Sequence, residues 1–175
     1  RIIICLIHIK FVISTILYDA QFTATDLWCV MSKYQLPIVA SDRIPLVELE
    51  LMNQVHREEV EMINQLGALL IDGLEGKPEI EKISHSVKVW IDHTRDHFEG
   101  ENRMMMEYGF PPYPVHKGEH DQVLLRLESL QAEWLKEFNL EALADFVFIE
   151  WRDWFDAHVN SMDMVTAQFL GRFIR

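Results

Sequence analysis

From Ile44-Pro45 onward the chain carries an almost uninterrupted helical apolar periodicity, and its breaks fall at Gly, Pro and Asn. Such a pattern folds into long amphipathic helices and leaves little alternating sequence for a sheet. A first helix is predicted over about 46–72, stopped by the turn signal Asp72-Gly73-Leu74-Glu75-Gly76-Lys77-Pro78. A second follows over about 78–107, with Pro78 suited to its first turn. Gly109 ends it, and Phe110-Pro111-Pro112-Tyr113-Pro114 cannot be helix interior. A third helix is predicted over about 115–137, and Asn139 is a good N-cap for a fourth over about 140–171. Four amphipathic helices with short links imply an all-α, antiparallel up-down-up-down four-helix bundle.

Apolar residues make up 49 % of the 175, enough for a sizeable core. The net charge of −12 argues against nucleic acid and against anionic membrane surfaces as partners. Arg1 and Lys10 balance Asp19 and Asp26 in the first 30 residues, so the whole −12 falls on residues 31–175. Both cysteines, Cys5 and Cys29, also lie in that first stretch. The Cys-free body can hold neither a disulfide nor a thiolate-bound metal, which fits a reducing compartment and a cytoplasmic location. Residues 2–17 are strongly apolar but short for a membrane span and interrupted by His8 and Lys10. Asp19-Ala20-Gln21 is a poor signal cleavage site. Composition changes at Met31-Ser32-Lys33, which has the look of a natural start. Residues 1–30 are therefore expected to be a non-domain segment with no part in the fold, and 31–175 the four-helix domain.

Eight histidines in so acidic a chain point to metal or proton chemistry. Placed on the predicted helices, they form an ordered set. His56 lies on the first, His97 and Glu101 on the second, His116 and His120 on the third, and His158 and Asp163 on the fourth. A spacing of four puts two side chains on one helix face. Five imidazoles and two carboxylates suit iron, zinc or copper, and carboxylates can bridge two ions. Seven ligands are too many for one tetrahedral zinc. They suit two six-coordinate ions that share two carboxylates and keep positions for a bridging oxygen and one exogenous ligand. The paired Glu-x-x-His of ferritin-like di-iron proteins is absent, as are the zinc-protease His-Glu-x-x-His, a Gly-rich phosphate loop and any support for a Ser or Cys nucleophile triad.

The ordered pieces are His56, then His97-Phe98-x-x-Glu101, then His116-x-x-x-His120, then Trp154-Phe155-x-x-His158-x-x-x-x-Asp163. Together they resemble the signature of the hemerythrin family, in particular its bacterial members, over roughly residues 50–170. Asn64-Gln65-Leu66, Met104-Met105 and Gly109-Phe110-Pro111 add to the likeness. The resemblance implies a non-haem di-iron centre, with two oxo- or hydroxo-bridged iron ions that bind O2. It implies that His116, His120 and His158 hold one iron, that His56 and His97 hold the other beside an open position, and that Glu101 and Asp163 bridge them. It also places Phe98, Met105, Trp154 and Phe155 as the lining that keeps the O2 pocket dry. His93, one turn before His97, reads as a neighbour of the site rather than a ligand. His85 and His8 match no motif and read as surface residues.

Two local features carry expectations of their own. On a regular α-helix, residues five apart point about 140° away from each other. His158 and Asp163 can serve one site only if the helix widens, so a π-type distortion is expected within 157–165. Glu59 departs from the family pattern, which usually has an apolar residue three positions after the first His. It falls about 60° from His56 on the helical wheel, inside the stripe of Met52, Ile63, Leu66 and Leu70. A carboxylate there needs a partner, and the expectation is that Glu59 reaches the open-position iron directly or through a water. Reversible O2 carriage or storage is the leading functional reading. The alternatives are an O2 or redox sensor acting through a partner, and a di-iron peroxidase, ferroxidase or nitric-oxide-handling enzyme.

Overall fold

The computed structural model describes residues 33–174, and its main compact unit begins at Leu36. The segment 1–30, expected to stand apart from the fold, lies outside the described residues. The described residues form a four-helix bundle without strands. Helix α1 is Glu50–Leu74, α2 is Ile80–Glu107 and α3 is Tyr113–Glu137. Helix α4 covers 140–170 as five consecutive pieces: Leu140–Asp145, a π segment Phe146–Trp151, Arg152–His158, a second π segment Val159–Asp163, and Met164–Leu170.

The links are short, so sequential helices run antiparallel. Gly76 (φ 91°) and Gly109 (φ 66°) take the left-handed conformation after α1 and α2, which a residue with Cβ adopts only at a cost. Phe138 (φ 48°) turns the chain between α3 and α4, and Asn139 caps α4 by accepting the Ala142 N–H at 3.0 Å. Pro78 stands just before α2 rather than within it, because the helix starts at Ile80. Helix α3 starts two residues earlier than the sequence suggests, because Pro114 fits its first turn, where no intrahelical N–H is required.

Ahead of α1, the segment 36–49 is pinned by two asparagines. Asn64 accepts the Ile38 N–H at 2.7 Å and donates to the Val39 carbonyl at 2.9 Å. Asn53 closes a pair of bonds with Val47 at 2.8 and 2.9 Å. These contacts account for the late start of α1, at Glu50 instead of 46.

The bundle interior has two zones along its length. Ile63, Leu66 and Leu70 of α1 meet Ile83 and Val87 of α2, Leu127 of α3 and Leu143 of α4 in a purely apolar zone, all essentially fully buried. Each contributes about 1.5–3 kcal/mol by burial. The other zone carries His56, His97, Glu101, His116, His120, His158 and Asp163, all buried. No helix among the described residues is long and apolar enough to cross a membrane.

Candidate metal centre

Each helix delivers its polar residues to the second zone by simple periodicity until α4. There the buried stripe runs Val147, Trp151, Phe155, His158, then jumps five to Asp163 and continues through Thr166 and Leu170. The π segment Val159–Asp163 absorbs the jump: the Met164 N–H reaches the Val159 carbonyl, five residues back. The widening expected from the five-residue spacing is therefore present, and it turns Asp163 onto the face of His158. A second π segment, Phe146–Trp151, lay hidden in the sequence because no polar pair marks it.

All five histidines turn Nε2 inward. The two carboxylates divide them into two groups. Glu101 places Oε1 3.1 Å from His97 Nε2, and Oε2 3.6 and 3.5 Å from the Nε2 atoms of His116 and His120. Asp163 places Oδ2 3.2 Å from His56 Nε2, and Oδ1 3.3 and 3.2 Å from the Nε2 atoms of His116 and His158. Each carboxylate thus offers one oxygen to the pair His56/His97 and the other to the trio His116/His120/His158. Potential ligand atoms of Glu101, His116, His120, His158 and Asp163 lie within 4.8 Å of one another, as do those of His56, His97 and Glu101.

This donor set fits metal cations better than it fits itself. His56 Nε2, Glu101 Oε2 and both Asp163 oxygens are buried without a hydrogen bond of sound geometry. Leaving such groups unsatisfied costs about 1–3 kcal/mol each. The Nε2 atoms of His116 and His120 stand 3.2 and 3.3 Å from that of His158, a crowding of lone pairs that a shared cation relieves. Among the described residues the cluster holds only imidazole and carboxylate groups, a set that selects imidazole- and carboxylate-binding ions.

The electrostatics follow from the same packing. Burial opposes charge on His97, but the carboxylates of Glu101 and Glu59 on its two sides outweigh it and hold the imidazole well above its usual range. Burial, with His116 and His158 alongside, pushes His120 down to about 2. Burial disfavours the charge on Asp163, but the imidazoles of His116, His158 and His56 close against its oxygens keep its carboxyl well below the ordinary range. Burial likewise opposes charge on His158, which Asp163 and Glu119 overcome, raising it.

Several aromatic and apolar side chains pack against the cluster. Phe98 stacks on His120 with ring centres 3.8 Å apart and planes 2° apart, and Trp154 stacks on His158 at 4.7 Å and 22°. Phe155 meets the His56 ring edge-on at 5.8 Å, and Met105 is fully buried near Thr166. A pocket of about 250 Å³, lined by Leu51, Met52, Val55, His93, Gly100 and Met104 among others, opens onto the His97–Glu101 edge. His93 is half-buried at that pocket and is not part of the ligand cluster. His85 is exposed, and His8 lies outside the described residues.

Residues 47–170 match the family described as "Hemerythrin HHE cation binding domain". The chain belongs to the hemerythrin family. A hemerythrin named Bacteriohemerythrin, from Aquifex aeolicus (strain VF5), is 33 % identical over 134 residues, 77 % of this chain and 98 % of that protein. A second Bacteriohemerythrin, from Ralstonia nicotianae (strain ATCC BAA-1114 / GMI1000), is 29 % identical over 103 residues, 59 % of this chain and 73 % of that protein. No solved structure matches the chain at a significant level. Hemerythrins bind iron, and the buried His, Glu and Asp cluster of this chain fits a metal site of that family.

One expectation needs correction. Glu59 is buried on the metal-site stripe, 1 % exposed, but it does not face the space between the ligands. Its Oε2 lies 3.1 Å from Nδ1 of His97, the ring nitrogen opposite Glu101, and its Oε1 accepts from Trp90 Nε1 at 3.2 Å and Thr94 Oγ1 at 2.9 Å. Both oxygens are engaged behind the imidazole, so a direct bond to an ion beside His97 Nε2 is out of reach. Glu59 does lie on the stripe of its own helix, but α2 presents Trp90, Thr94 and His97 to it as partners. Two further outer contacts escaped the sequence reading: Thr166 Oγ1 to His116 Nδ1 at 2.8 Å, and Glu119 Oε2 to His158 Nδ1 at 3.0 Å. Thr166, three residues after Asp163, was visible as a polar residue continuing a buried stripe. Glu119, beside His120 on the outer side of its helix, carries no such signal.

Proposed function

We propose that the chain binds O2 reversibly at a di-iron centre, with residues 31–175 as the O2-binding domain and 1–30 outside it. The observation that supports this most is the split of each carboxylate between the His56/His97 pair and the His116/His120/His158 trio. In this reading His116, His120 and His158 hold one iron, His56 and His97 hold the other, and Glu101 and Asp163 bridge them. The iron pair supplies the electrons that make O2 binding possible. The chain supplies the rest. The trio completes its half with three imidazoles, while the pair leaves its half a ligand short, on the side where the 250 Å³ pocket opens. Phe98, Met105, Trp154 and Phe155 exclude water from the ligand shell. That exclusion removes the proton source that would turn reversible binding into irreversible oxidation. A cytoplasmic carrier or store is the role this chemistry serves. Anaerobic loading with ferrous iron followed by O2 is the test. Visible charge-transfer bands that form with O2 and disappear under vacuum support the carrier. Rapid oxidation that vacuum does not reverse supports a sensor or a di-iron oxidase or peroxidase instead.

A further inference from the structure

A buried carboxylate behind a metal-binding imidazole has a consequence only if it is ionised and firmly held. Glu59 meets both conditions by geometry. Three side chains on one face of α2, Trp90, Thr94 and His97, turn hydrogen-bonding groups toward it. The Trp90 indole can only donate. The Thr94 hydroxyl stands 2.9 Å from Oε1 and 3.1 Å from the Trp90 carbonyl, both acceptors. With an acceptor-only ionised carboxylate, every group in the network is satisfied if His97 carries its proton on Nδ1. A neutral carboxylic acid would bring a fourth proton into a cluster already made of donors. An amide in its place would set an NH2 group against the indole N–H or the His97 N–H. The site therefore selects a carboxylate by its donor pattern.

We propose that Glu59 is a positioning and charge-tuning residue: by accepting the Nδ1–H of His97 it commits the His97 Nε2 lone pair to the metal position and enriches the two-histidine half of the centre in electron density. The inference rests on the reading of His97 as an iron ligand. Outer carboxylates of this kind orient the ring and raise its basicity. Here the effect is one-sided. The trio has Thr166, a neutral hydroxyl, on His116 and the half-buried Glu119 on His158, where solvent screens the charge. Glu59 is dry, its ion pair is with His97, and no Lys or Arg among the described residues pairs with it. The half of the site where the pocket opens is thus the half most biased toward the higher metal charge. An iron held by His97 would therefore be biased by the Glu59 charge toward its ferric state, lowering its midpoint potential.

The test compares the full chain with Glu59→Gln, which keeps shape and removes the charge, and with Glu59→Leu. Zinc titration, the midpoint potential of the iron-loaded protein, and the ¹⁵N shifts of His97 in the zinc-loaded wild type are read together. The expected results are a roughly 10–100-fold weaker zinc affinity at one of two positions in Glu59→Gln, a higher midpoint potential, and a wild-type His97 with its proton on Nδ1. A variant that melts earlier but keeps the same zinc isotherm and potential would reduce Glu59 to a packing residue and overturn the proposal. If neither variant folds, the wild-type His97 shifts decide alone, and a proton on Nε2 overturns it. A wild type that loads two metals with a proton on His97 Nε2 removes His97 from the ligand set and the role of Glu59 with it, while leaving a two-metal centre on the other residues. A wild type that loads none refutes the di-iron reading and this inference with it.

Discussion

The two histidine groups share the carboxylates of Glu101 and Asp163 and differ in what surrounds them. The trio half draws on α3 and α4, packs the Nε2 atoms of His116 and His120 within 3.3 Å of that of His158, carries the rings of Phe98 and Trp154 stacked on His120 and His158, and has its own pocket of about 380 Å³ beside His158 and Trp154. The pair half draws on α1 and α2, has one imidazole fewer, borders a pocket of about 250 Å³ lined by His97 and Glu101 themselves, and is backed by the dry carboxylate of Glu59. In the proposed reading, ligand number and what stands behind each ring make the trio the anchoring half and the pair the reactive one.

The largest effect that would break this comparison is loss of a bridge. Glu101→Ala should strip both halves, taking iron from about two ions per chain to near none, whereas His56→Ala should leave about one, held by the trio. Iron analysis by mass spectrometry on folded, helical protein separates the two. Equal losses in both variants would mean that the halves do not load independently.

Access comes next in size. Leu51→Trp, which fills the pocket beside His97, should slow azide binding about tenfold or more, while Gln122→Trp, beside His158 on the other face, should leave it unchanged. Stopped-flow mixing with azide reads both. Reversal of the pattern would place the open position on the trio.

Proton and metal compete for His97, and this gives a pH signature. The folded, metal-free protein holds the His97 proton above its usual range, between Glu101 and Glu59. A raised folded pKa contributes stability that is complete below the unfolded value of about 6.5 and fades as pH rises through the folded value. The metal-free protein should therefore lose a few degrees of melting temperature as pH rises above that value into the alkaline range. The metal-loaded protein should not, because the cation replaces the proton. His97→Asn should flatten the metal-free curve. Parallel curves for both forms would remove His97 from the metal site.

The smallest expected effect is that of Glu119→Gln. Its carboxylate is 40 % exposed, so screening weakens its influence on His158. Zinc affinity should fall by less than about threefold, well short of the Glu59→Gln effect.

Much of this asymmetry was legible before any coordinates. The helices, their order and the seven His, Glu and Asp positions that cluster in the bundle follow from apolar periodicity and from residues that stand out because they are polar on apolar faces. The π segment at Val159–Asp163 followed from the same logic, since a five-residue step cannot keep one face on a regular helix. Glu59 marks the boundary of such reasoning. Its own helix fixed where it points, but its partners, Trp90, Thr94 and His97, come from another helix, and only the packing of α1 on α2 sets them against it. The late start of α1 was hidden for the same reason, because Asn53 and Asn64 act on a preceding segment that has no periodicity to read. The π segment at Phe146–Trp151 left no mark because every residue it turns inward is apolar.

The most direct test of the reactive and anchoring halves is a crystal structure of the iron-loaded, azide-treated protein, with iron located by anomalous scattering. The account predicts two iron sites bridged by Glu101 and Asp163, with azide on the ion held by His56 and His97 and Glu59 still bonded to His97 Nδ1. A single ion, or azide on the ion held by His116, His120 and His158, would contradict it.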